Sequence, residues 1–211
     1  MLKDKDIREP LFSFIEEKFG KVRIIEEKQI KKSRADCMLV TEDSLIGIEI
    51  KSDADSYARL DRQIQDYNRF FDYNYVAVGP SHAKSATDHV PQWWGIITVS
   101  DRNEEEVPMV EIVRQGTPNP KREKMVKLRN QLSILWRLEL NNLLEINEMP
   151  KYKQKSKDFV IHKIAEKVDV EVLKPQISNE LFERDYTTIA ERIAEYKEGE
   201  KKKVKRRQVK K

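Results

Sequence analysis

Apolar residues recur at two different periods along the chain, and each change of period marks an element. Between residues 4 and 19, Ile7, Leu11, Phe14, Ile15 and Phe19 fall at helical spacing. Asp6 is placed to cap that helix, Pro10 suits its early turns, and Gly20 supplies a stop. Residues 22–26 read as a short strand, and two more strand-like runs, 35–40 and 45–51, are separated by Thr41-Glu42-Asp43-Ser44. Tyr57, Leu60, Ile64, Tyr67 and Phe71 alternate by threes and fours and predict a helix over 53–72. A buried strand follows at 75–79, then a short helix at 81–89, a second buried strand at 94–100 and an edge strand at 109–113. This order of elements predicts an α/β fold, a mixed sheet flanked by helices.

The segment 114–123 holds one glycine and two prolines and is read as a boundary. Beyond it, Met125, Leu128, Leu132, Leu135 and Leu143 line one side of a predicted long helix. Two further helical segments are expected near 156–168 and 177–197. The resulting division is a core over 1–115, a helical region over 116–196 and a basic, solvated tail over 197–211. The helices pack either as a small bundle or against the sheet.

The strand Leu45-Ile46-Gly47-Ile48-Glu49-Ile50-Lys51 carries a carboxylate and an ammonium inside an apolar run. If residues 41–44 form a four-residue loop, Val40 pairs with Leu45 and Asp36 falls opposite Glu49. Side chains alternate faces along a strand, so Asp36, Glu49 and Lys51 then share one surface. Two opposed carboxylates repel, and a hard divalent cation such as Mg²⁺ or Mn²⁺ would compensate. Lys51 beside them would orient or help deprotonate a metal-activated water and steady charge developing on a phosphate. Gly47 lies on the same face, where a substrate backbone could approach. The competing interpretation is a salt-bridged patch on a solvent-facing sheet surface.

Asp36 followed by Glu49-Ile50-Lys51 resembles the D…(D/E)-x-K signature of the PD-(D/E)XK nuclease superfamily, with Ala35 in place of the usual proline. The helix–strand order around it is similar to that superfamily's core, which implies a restriction-endonuclease-like fold with a C-terminal helical region added. The segment Arg8-Glu9-Pro10-Leu11 resembles the first-helix motif whose glutamate often completes the metal site. By that resemblance the metal ligands are Asp36, Glu49, Ile50 and Glu9. Gln63 and Tyr67 look like the Q-x-x-x-Y motif of RecB-type members, and imply a catalytic role for Gln63 and a nucleic-acid contact for Tyr67. The region around Ile134-Leu135-Trp136-Arg137 is similar to the C-terminal part of an uncharacterised bacterial and phage branch.

Charge placement refines this picture. Residues 197–211 carry nine Lys/Arg and two Glu, a net +7, so a chain of net +4 has a slightly acidic body. Lys202, Lys203, Lys205, Arg206 and Arg207 are the tail's candidate phosphate contacts. The single cysteine, Cys37, permits no intrachain disulfide and suits a reducing cytoplasm. No apolar run reaches membrane-spanning length, so no membrane association is expected. The three histidines follow no zinc spacing, no phosphate-binding glycine loop occurs, and Asp53 and Asp55 are read as caps of the following helix. Trp93, Trp94 and Trp136 are read as packing anchors.

The expected function is that of a metal-dependent nuclease hydrolysing DNA phosphodiester bonds, with Asp36, Glu49, Lys51 and Gln63 at the reaction centre. One rival is an inactive DNA-binding or repair accessory module on the same fold. The other is a protein-interaction module, with a partner or a second copy docking on the C-terminal helices.

Overall fold

The computed structural model describes residues 1–102, 108–120 and 128–185. Helix α1 (Asp4–Phe19) leads into three antiparallel strands, β1 (Arg23–Ile30), β2 (Ser33–Val40) and β3 (Leu45–Lys51). A 3-10 turn (Tyr57–Arg59) and α2 (Leu60–Phe70) then cross to β4 (Tyr73–Val78), which pairs parallel to β3. After the short α3 (Ala86–His89), β5 (Gly95–Arg102) pairs parallel to β4 and β6 (Pro108–Arg114) closes the other edge antiparallel. The sheet is mixed, six-stranded, and ordered β1 to β6 as in the chain.

The two faces of the sheet are covered differently. Ile7, Leu11 and Ile15 of α1 pack on Cys37, Leu39, Ile46, Ile48 and Ile50, with Tyr75, Ala77, Ile97 and Val99 completing an apolar cluster. The opposite face carries α2 and four C-terminal helices: α4 (Leu128–Ile134), α5 (Arg137–Ile146), α6 (Lys157–Lys167) and α7 (Val170–Phe182). Their Leu132, Leu143, Ile164 and Leu173 share one buried cluster with Met38, Tyr67, Val76 and Trp94. The helical region therefore packs against the sheet. Buried polar ties fix it there: Lys174 pairs with Asp72 at 2.8 Å, and the Gln131 amide donates to Asp72 at 3.0 Å.

Several local expectations change. The long helix breaks between Ile134 and Arg137, where Trp136 turns extended and its N–H donates to Glu139 at 2.6 Å. The last described helix starts at Val170, seven residues earlier than its apolar spacing suggested, because Pro175 sits within it and obscures the pattern. The predicted portion beyond residue 185, and the tail, lie outside the described residues. Asp53 and Asp55 do not cap α2. Asp53 accepts from the Leu2 and Ser81 amides, and Asp55 accepts from the Ser52 amide and hydroxyl, so both brace loops instead. Trp94 is fully buried, its indole donating to Asn68 at 3.0 Å, as a packing anchor does. Among the described residues, no helix is long and apolar enough to cross a membrane.

Candidate active site

The β2–β3 hairpin fixes the centre. Thr41 N–H donates to the Ser44 carbonyl at 3.0 Å, and the strands pair as Val40–Leu45 through Cys37–Ile48. One step further along this register puts Asp36 beside Glu49. Asp36 then binds β3 through its side chain: the Ile50 amide donates to its Oδ2 at 2.8 Å. On the other side the β1–β2 pairing skips Glu27, which sits opposite Asp36 with a positive φ of 53°.

Helix α2 supplies the second half of the site. Gln63 and Tyr67 are one turn apart and reach over Glu49. The Tyr67 hydroxyl lies 2.7 Å from Glu49 Oε2 and accepts from the Asp36 amide at 3.2 Å, so one phenol touches both acidic residues. Lys51 Nζ donates to Glu49 Oε1 at 2.7 Å and to Gln63 Oε1 at 3.3 Å, while the Gln63 amide donates to Glu49 Oε1. Glu49 is 1 % exposed and Lys51 7 %. This burial excludes a solvent-facing patch, while the Lys51–Glu49 ion pair of that reading is present.

Burial, and then the neighbouring Glu49 charge, push the Asp36 carboxyl up to about 7. Burial and the two carboxylates also hold the Tyr67 phenol well above its ordinary range, so it remains a donor. Asp36, Glu49, Ile50, Lys51 and Gln63 all line one cavity of about 500 Å³. It opens beyond the carboxyl end of β3, the end of a strand at which open α/β sheets commonly bind ligands.

Three expectations are not met in this arrangement. Glu9 is exposed and lies outside the cavity lining, because the buried stripe Ile7–Leu11–Ile15 turns it away from the sheet. From the same motif it is Arg8 that reaches β2: its guanidinium donates to the Asp36 carbonyl at 3.3 Å and pairs with Asp4, Glu26 and Glu27. The space above Gly47 is filled as well. A Cβ there would meet Phe71 at 2.2 Å and Tyr67 at 2.7 Å, so aromatic rings take the place expected for a substrate backbone. Tyr67 is 0 % exposed and acts on the carboxylates, out of reach of a nucleic acid.

The sequence reading missed Asp4, Lys32, Arg34, Arg59 and Arg62, which also line the cavity. The Asp4–Arg8 spacing of four on one helix was a usable signal; nothing local marked Lys32 or Arg34.

Comparison with known proteins places the chain. The family model described as bacteriophage P4 protein cII matches residues 3–209. The chain belongs to that family. No curated protein sequence matches it. A solved structure of SfsA from Pyrococcus furiosus in complex with Ca²⁺ is weakly similar, with 13% identity and a TM-score of 0.32. The overlap covers 53% of this chain and 62% of that one, and no residue of the site is assigned from it.

The donor set suits a hard cation. Asp36 and Glu49 offer carboxylate oxygens to one cavity. Among the described residues no group of three or more His, Cys, Asp or Glu is placed to hold a metal. Carboxylate oxygens are the ligand type that a hard cation such as Mg²⁺ takes.

Proposed function

We propose that this member of the cII family is a Mg²⁺-dependent deoxyribonuclease of the PD-(D/E)XK type. The observation that carries the reading is the meeting of Asp36, Glu49 and Lys51 in one cavity, with Lys51 held between Glu49 and Gln63. Asp36, Glu49 and the Ile50 carbonyl would hold the ion, which supplies Lewis acidity toward a phosphodiester and acidifies a water. The chain's own groups do the rest. Lys51 presents a buried ammonium to charge developing on the phosphate, where the surrounding protein strengthens its effect. Tyr67 and Gln63 fix the Glu49 carboxylate, and Arg8 anchors the Asp36 backbone where the β1–β2 pairing skips Glu27.

One observation favours the inactive DNA-binding alternative: both Glu49 oxygens already accept from Lys51, Gln63 and Tyr67, so the cluster is satisfied as it stands. Incubation of the full chain with plasmid and duplex DNA in Mg²⁺ or Mn²⁺ separates the two. The nuclease reading expects cleavage that EDTA abolishes and Lys51→Ala reduces by about 10²–10³-fold. DNA retention without cleavage in either metal would establish the alternative.

A further inference from the structure

The cavity's rim is cationic on two sides, and most of those cations have no ion-pair partner among the described residues. Lys32, in the turn between β1 and β2, and Arg34, at the start of β2, form one wall. Arg59 and Arg62, three residues apart at the head of α2, form the other. All four are exposed. The side chains of Lys32, Arg59 and Arg62 make no ion pair or hydrogen bond among the described residues, and that of Arg34 keeps only an exposed pairing with Glu27 at 2.6 Å. The remaining acidic groups of the rim are engaged: Asp4 by Arg8, and Asp55 by the Ser52 amide and hydroxyl.

The wall at Lys32 is also held in shape. The Gln29 amide donates to the carbonyls of Lys31 and Ser33 at 2.7 and 2.9 Å, and the Ser33 hydroxyl donates to buried Asp66 at 2.8 Å. Lys31 takes a φ of 52° in this two-residue turn, where asparagine or glycine would sit more easily. Lys31 thus occupies a turn position whose backbone disfavours it.

We propose that Lys32 and Arg34 on one side, and Arg59 and Arg62 on the other, clamp the phosphates of a DNA strand across the Asp36–Glu49 centre. This rests on the DNA-directed reading of the site. The clamp gives a slightly acidic body a local cluster of phosphate contacts at the cavity. It binds backbone and leaves bases unread, so it adds affinity alike for all sequences.

Anisotropy of a labelled DNA duplex, measured in EDTA from 50 to 200 mM salt with the full chain, tests it. Arg59→Ala/Arg62→Ala and Lys32→Ala/Arg34→Ala should each lower the slope of log affinity against log salt by about 1 to 2, since each phosphate contact contributes about 0.9. Lys151→Ala/Lys153→Ala, an exposed pair outside the cavity lining, should leave the slope unchanged. Unchanged slopes in both rim variants, or an equal loss in the control, overturn the clamp. Cleavage in Mg²⁺ reports separately on the chemistry. A parent that cleaves while rim variants keep their slopes sinks the clamp alone. A parent that never cleaves while rim variants lose slope leaves the clamp standing and sinks the nuclease reading.

Discussion

Ile48 and Glu49 are neighbours in β3, each 1 % exposed, and their surroundings could hardly differ more. Ile48 faces α1 and an all-apolar cluster, where burial itself stabilises the fold. Glu49 faces α2 and is surrounded by an ammonium, an amide and a phenol, an arrangement that rarely stabilises relative to apolar packing. Equal burial on the two faces of one strand therefore serves opposite ends. The α1 face holds the sheet together, while at one end the α2 face keeps a charged cluster that chemistry can use.

The sharpest way to break this comparison is to change the two neighbours separately. Ile48→Ala should cost about 2–5 kcal/mol of stability, read by denaturant unfolding, with cleavage per folded molecule nearly unchanged. Glu49→Gln should lower cleavage by about 10²–10³-fold with a smaller loss of stability, because the one carbonyl oxygen of glutamine can still accept from Lys51 and Gln63, although the oxygen that Tyr67 uses is lost. If both variants lose stability equally and neither loses cleavage selectively, the two faces are not divided in this way.

Gly47→Ala probes the boundary between packing and site. Its Cβ would overlap Phe71 and Tyr67, so the rings must move. The expected cost is about 1–3 kcal/mol, together with weaker cleavage, since Tyr67 holds Glu49. Full activity with lowered stability would show that Tyr67 packs the sheet without positioning the carboxylate.

Asp36→Asn tests the charge at the centre. The folded protein keeps the Asp36 proton to about pH 7, whereas an unfolded chain releases it near 4. The folded state therefore loses stability as pH rises from about 4 to about 7, and the full penalty is present by pH 8. Asparagine retains an acceptor for the Ile50 amide. In the absence of metal, Asp36→Asn should match or exceed the parent by about 1–2 kcal/mol at pH 8, with the gap closing by pH 5. A clear drop in melting temperature at pH 8 would mean that the carboxylate is a structural partner of Lys51 and Arg8.

Much of the fold was legible because its strands are short apolar runs with clear breaks. The α1 bounds and β3 follow directly from spacing, and the four-residue loop sets the register that brings Asp36 to Glu49. Gln63 and Tyr67 were legible because four residues on a helix share a face. What stayed hidden depends on tertiary placement. Glu9 and Arg8 are adjacent in sequence, and only the packing of Ile7 and Leu11 on the sheet decides which one reaches β2. The cationic rim joins a hairpin turn to a helix some thirty residues away, a proximity that no local pattern encodes.

The smallest expected effect on the body comes from the chain's most charged segment. Residues 197–211, net +7 and including Lys202, Lys203, Lys205, Arg206 and Arg207, lie outside the described residues. Their deletion should leave the melting temperature unchanged, because Lys-rich termini bury little. Against duplex DNA the deletion should lower the salt slope by at least about 0.9, one phosphate's worth, and weaken binding equally for unrelated sequences. The rim and the tail differ in one further respect. Rim cations line the Asp36–Glu49 cavity, so on the nuclease reading their loss should raise KM and lower kcat together, whereas loss of a tail that only adds phosphate contacts should change KM alone. Truncation that leaves the salt slope untouched would assign all phosphate contacts to the body, and the rim would then have to account for the whole of the slope.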